Sequence, residues 1–129
     1  MSRFLVDTRI LLWSASGSRK LPARAGRLFR DGRHEFHFSA ASLWEVVIKA
    51  SLGRRDFQVD ASALRDVLTE NGFRELAVTC AHAVAVGRLP PLHADPFDRM
   101  LIAQANQEPM VLITADERLG RYPGTIEVI

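Results

Sequence analysis

The stretch ADPFDRMLIAQANQEPMVLITADE, residues 94–117, carries the reading on which the fold turns. Its first half sets apolar residues at helical spacing behind two acids that flank a proline. Asp95 is placed to be the N-cap, Pro96 stands at the first helical position, where a missing N–H costs nothing, and Asp98 faces the positive end of the helix dipole. Its second half, PMVLIT, is a fully apolar strand, and ADERLGRY behind it reads as a helical turn.

The same alternation runs outward in both directions. RFLV at 3–6 reads as a strand ending at Asp7, ILLWSAS as a short helix closed near Gly17, and residues 22–30 as a second helix. The Asp31-Gly32 turn leads into a strand at 35–38, then SLWEVVIKASLG gives a helix ending at Gly53. ASALRDVLTENG is an amphipathic helix with Ala61, Leu64 and Leu68 on one face and Gly72 as its stop. FRELAV reads as a strand, TCAHAVAVGRL as a short helix, PPLHAD as a rigid loop and TIEVI as the closing strand. Strands alternating with helices predict a three-layer α/β/α sandwich around a mainly parallel sheet of about five strands, with residues 1–129 forming one domain.

With 129 residues, of which 47% are apolar, the chain has material for a substantial core. No apolar run approaches the roughly 20 residues that cross a bilayer, and the charged residues Arg3, Asp7 and Arg9 argue against a cleavable leader. The lone cysteine, Cys80, suits a reducing cytoplasm and reads as a small apolar filler at a helix start. Net charge is only +2, but fifteen of the seventeen basic residues are arginines, the better phosphate fork. Leu11, Leu12, Trp13 and Trp44 read as core, with a partner face as the alternative.

Four acids share one kind of position. In open parallel α/β sheets functional groups gather beyond the carboxyl ends of the strands. Asp7 follows one strand directly, and Asp116 lies two residues beyond another. Glu45 and Asp98 fall in the first turns of helices. Each acid alone fits capping, and Ser42 to Glu45 and Thr114 to Glu117 both match a capping box. Together on one rim, like charges repel unless a cation is present. Mg²⁺ or Mn²⁺ prefers such carboxylate oxygens. No histidine–cysteine set for zinc exists: His34 and His37 flank a strand and read as surface or edge residues, and His93, in the loop before Asp95, reads as a solvated loop residue, with reach to the rim as the alternative. A metal so held activates water and stabilises charge on a phosphoryl oxygen, which is what phosphodiester hydrolysis needs. Arg9, Arg99 and Arg118 are the candidates for phosphate contacts.

These residues resemble a known family. LVDT at 5–8, SAASLWEVVIK at 39–49, LPPLHADPFDRMLIAQA at 89–105 and TADERLGRYPG at 114–124 are similar to PIN-domain ribonucleases, in particular the VapC-type toxins of bacterial toxin–antitoxin pairs. The resemblance implies a cytoplasmic, Mg²⁺- or Mn²⁺-dependent endoribonuclease, dimeric and held inactive by a VapB-type antitoxin laid across its groove. It implies that Asp7, Glu45, Asp98 and Asp116 are the metal-binding acids, with Thr114 a nearby hydroxyl and Asp95 an extra acid that also caps its helix. One departure is Arg9, where relatives with this DPFDR signature carry histidine after Asp-Thr; an arginine neither ligates a metal nor acts as a base. Arg9 is the one feature favouring the alternative, a catalytically inert interaction or RNA-binding module.

Overall fold

RFLV becomes the central strand because all but its first residue are apolar and buried. In the computed structural model, which describes residues 2–129, this strand, β1 (Arg3–Val6), pairs in parallel on both sides. Its neighbours are β2 (Glu35–Ser39) and β4 (Val111–Thr114), with Leu5 opposite His37 and Leu112 respectively. β3 (Arg74–Leu76) extends the sheet beyond β2, and β5 (Ile126–Val128) extends it beyond β4, both in parallel. The order is β3-β2-β1-β4-β5.

Alternation along the strands divides the core into two layers. Phe4, Val6, Phe36, Phe38 and Ile113 pack on one face against α1 (Thr8–Ser16), α2 (Ala23–Phe29), α3 (Ala40–Ser51) and α4 (Ala61–Glu70). Leu5 and Leu112 face the opposite way, onto Leu101, Ile102 and Ala105 of α6 (Pro96–Gln107) and Leu119 of the 3₁₀ turn Glu117–Arg121. α5 (Cys80–Val86) lies against α6. This is the expected three-layer α/β/α sandwich with five parallel strands. No helix among the described residues is long and apolar enough to cross a membrane.

Several local expectations change. FRELAV contributes only three strand residues. α3 begins at Ala40, immediately behind β2, and its cap is Ser39, whose hydroxyl accepts from Ala41 N–H at 3.0 Å. Ser42 therefore lies inside the helix, its capping box does not form, and Glu45 sits in the second turn rather than the first. The Thr114 box does not form either, because Asp116 itself caps the 3₁₀ turn by accepting from Arg118 N–H. His37 is no surface residue; as the middle of β2 it is buried. Trp44 and Cys80 are not core. Trp44 is 63% exposed, held edge-on against Phe97, because α3 buries the face carrying Glu45 and Val46 instead. α5 turns His82 and Ala85 inward and leaves Cys80 outside. The Cys80 thiol is accordingly expected to react completely with an aromatic disulfide reagent in the native protein; reaction only after denaturation contradicts this placement.

The chain leaves β1 for β2 and β3 on one side, then crosses to β4 and β5 on the other. The carboxyl ends of β1 and β4 thus flank the topological switch point, where a crevice opens in sheets of this kind.

Candidate functional site

A cleft at that switch point is lined by Asp7, Glu45, Asp95, Asp98 and Asp116, together with Arg9, Lys49, His93 and Arg118. All four acids singled out in the sequence meet there, brought from four chain segments. Three come from the ends of strands or the helices behind them, and Asp98 comes from the first turn of α6.

Asp7 caps α1 as expected, one oxygen accepting from Ile10 N–H at 2.9 Å. Its other oxygen accepts from the Thr114 hydroxyl and, at 3.4 Å, from Ala115 N–H. Burial pushes its carboxyl above the usual carboxylate range, and the Thr114, Ile10 and Ala115 hydrogen bonds oppose that shift. Next to Asp7, the Thr8 hydroxyl donates to Ser42 at 2.9 Å, locking α1 to α3. Glu45 is only 5% exposed. One of its oxygens meets Lys49 Nζ at 2.7 Å, one helical turn on. The other has no hydrogen-bond partner among the described residues.

Asp98 is pushed up to about 6, by burial first and then by the Asp95 charge; Glu45 and Asp7 add to the shift, and the His93 hydrogen bond opposes it. Asp95 is the N-cap, accepting from Phe97 N–H at 2.8 Å and Asp98 N–H at 3.3 Å. Asp116 differs from the rest. Arg118 grips both its oxygens, at 3.0 and 2.8 Å, and holds its carboxyl below the usual range.

Of the three arginines expected to meet phosphate, Arg9 and Arg118 line the cleft. Arg9 is exposed, 6.0 Å above the Trp13 ring. Arg99 is not a phosphate contact. It points away from the cleft and donates to the Pro90 carbonyl at 2.9 Å, the Val86 carbonyl at 3.2 Å and the Tyr122 hydroxyl at 3.2 Å. It clamps the 87–95 loop. Arg99→Ala is expected to destabilise the fold by about 2–3 kcal/mol, since it strands partly buried acceptors. It should also expose the loop to protease; an unchanged urea midpoint and cleavage pattern contradict the clamp.

Lys49 and Thr8 line the cleft and were missed as site members. Lys49 carried a signal, its i,i+4 spacing from Glu45. Lys49→Met leaves a buried carboxylate without its cation, and about 1 kcal/mol of stability is expected to go with it in urea denaturation. Thr8 carried none beyond its place next to Asp7, and Ser42 supports it from outside the cleft.

A family model described as "PIN domain" matches residues 4–124. The chain belongs to the PIN domain family. Solved structures with the same PIN fold include VapBC2 from Rickettsia felis bound to a promoter DNA fragment, at TM-score 0.72 and 15% identity, covering 98% of each chain. DNA-bound VapBC from Salmonella typhimurium gives TM-score 0.69 and 18% identity, over 99% of this chain and 98% of that one. A toxin–antitoxin complex from Klebsiella pneumoniae gives 0.65 and 19%, over 95% of each. Comparison with curated proteins finds no match.

The residues present fit a hard divalent cation. Glu45, a cleft residue, has an orphaned, buried oxygen, and Asp98 beside it is pushed upward by burial and its acidic neighbours; both conditions are relieved by one added positive charge.

Proposed function

We propose that the chain is a single PIN-type nuclease domain, an Mg²⁺- or Mn²⁺-dependent endoribonuclease acting as the toxin of a VapBC-type pair. The observation that carries this reading is the convergence of Asp7, Glu45, Asp98 and Asp116 in one cleft at the switch point of the sheet. These four acids would hold the ion. When bound, a divalent ion supplies an activated water and neutralises charge that develops on the phosphoryl oxygens.

The chain's own groups do the rest. Thr114, Ile10 and Ala115 fix the Asp7 carboxylate, so its orientation costs little when the ion arrives. Lys49 holds one Glu45 oxygen and leaves the other without a hydrogen-bond partner. Arg9 and Arg118 sit at the rim; the exposed Arg9 fork suits a phosphate flanking the scissile bond, and Arg118 would do the same on releasing Asp116 to the ion. Arg9 in place of histidine fits that role and keeps the acidic set intact.

The partner reading is a VapB-type antitoxin, supported by the folds shared with structures described as VapBC and toxin–antitoxin complexes. An arginine from that partner, inserted among the acids, would take the place of the ion's charge. The expected homodimer is part of the same proposal, supported by the exposed apolar face around Trp44, Val47 and Phe97. A reducing, cytoplasmic setting completes it.

The test is cleavage of single-stranded RNA by the purified chain. Cleavage should require Mg²⁺ or Mn²⁺, stop with EDTA, and be lost in Asp7→Asn. Cutting that survives both EDTA and the substitution sinks the proposal, and absence of Mn²⁺ binding at millimolar concentration favours the inert module.

A further inference from the structure

His93 does not behave as a solvated loop residue. Its side chain is 12% exposed, and Nε2 lies 3.0 Å from Asp98 Oδ2. Donor atoms of His93, Asp98 and Asp116 all fall within 4.8 Å of one another. Ligands about 2.1 Å from a divalent ion lie no more than about 4.2 Å apart, so a small inward shift of these side chains makes a coordination set.

The backbone that carries the imidazole is fixed from three sides. Arg99 ties down the carbonyls of Pro90 and Val86. The Tyr122 hydroxyl, from a residue only 4% exposed, donates to the His93 carbonyl at 3.3 Å. Pro90 and Pro91 restrict the dihedrals on the approach. A half-buried arginine and a buried tyrosine thus hold one loop so that one ring faces the acids. Ordering a loop in this way costs conformational entropy that simple solvation of a histidine does not require.

We propose that His93 is a ligand of the divalent ion, so that one imidazole nitrogen joins the carboxylate oxygens and the site favours Mn²⁺ over Mg²⁺. The inference rests on the metal-dependent reading above and deepens it. Mg²⁺ keeps to oxygen donors and its own waters, whereas imidazole suits the transition ions. The other histidines lie away from the cleft: His34 beside Ser2 and Asp31, His37 within β2, and His82 between Thr79 and Glu108. A nitrogen signal from a bound ion therefore reports on His93.

The experiment loads the purified chain with Mn²⁺ and records pulsed electron paramagnetic resonance, alongside calorimetric titration with Mn²⁺ and with Mg²⁺. A nitrogen hyperfine coupling is expected in the native protein and absent in His93→Asn, a substitution that retains a hydrogen-bonding side chain beside Asp98. The Mn²⁺ dissociation constant should rise at least about tenfold in that variant, while the Mg²⁺ constant moves less. Mn²⁺ bound with no nitrogen coupling overturns the role of His93 and leaves the nuclease reading standing. No Mn²⁺ binding at all overturns both. Equal weakening of both ions in His93→Asn also rejects ligation, since it reduces His93 to a support for Asp98.

Discussion

Asp98→Asn is expected to make the metal-free protein more stable at neutral pH while ending RNA cleavage. Asp98 ionises in the folded chain near 6, against an ordinary 3.8, because burial and the neighbouring acids disfavour its charge. Between those values the folded state keeps a proton that the unfolded state has released. Stability from this group is therefore complete below 3.8 and falls as pH rises through about 6, after which the cost stays constant. At about 1.4 kcal/mol per unit, the charged carboxylate costs up to about 3 kcal/mol in the absence of a cation. Asparagine removes the charge and still offers His93 a hydrogen-bonding partner. In EDTA at about pH 8 the variant should gain roughly 1–3 kcal/mol in urea denaturation, and near pH 4 the gain should vanish because both side chains are then neutral. Cleavage should fall by at least about a thousandfold, as expected for a group that binds the charge-stabilising ion. A variant that loses stability equally at both pH values shows that Asp98 holds the fold rather than the ion.

That opposition between folding and function explains which features the sequence could announce. β1 and β4 were legible because each is a short, mostly apolar run bounded by polar or turn residues, too short for a buried helix. Asp7 and Asp95 were legible because strand ends and Pro-led helices fix where a capping acid must stand. Glu45 was found as a site residue but misplaced by a turn. Ser39 and Ser42 both suit a helix start, and only the end of β2 decides between them. Arg99 is adjacent to Asp98, yet a step of about 100° around a helix turns it toward the 87–95 loop. Residue type cannot show that direction. His93 is the sharper case: Tyr122, 29 residues further on, helps to fix it, and no local pattern encodes a contact between a loop and the residue after a 3₁₀ turn. Trp44 read as core by composition alone, but the face of α3 that turns inward is chosen by Glu45 and Val46.

Thr114→Val is expected to weaken both the fold and the site, because one hydroxyl joins their two halves. Thr114 is fully buried at the end of β4. Its hydroxyl donates to Asp7 across the switch point and accepts from Asp116 N–H at 3.0 Å. It thereby sets the orientation of one acid and the backbone position of another. Valine keeps the shape and removes both bonds. Losing a hydrogen bond to a charged group and stranding an N–H should together cost about 2–4 kcal/mol. The effect on Asp7 has a definite sign. Burial already raises its carboxyl, and the Thr114 bond is the largest influence in the other direction. Without that bond, Asp7 holds its proton to still higher pH, so the acidic limb of the pH–activity profile should move toward alkali. Activity at neutral pH should drop by about 10- to 100-fold, in line with removal of a group that orients a metal ligand. Thr114→Ser restores the hydroxyl and should recover the profile, though losing a buried methyl leaves some instability. If valine shifts the urea midpoint but not the pH limb, the hydroxyl serves packing alone, and the alignment of Asp7 must come from Ile10 and Ala115.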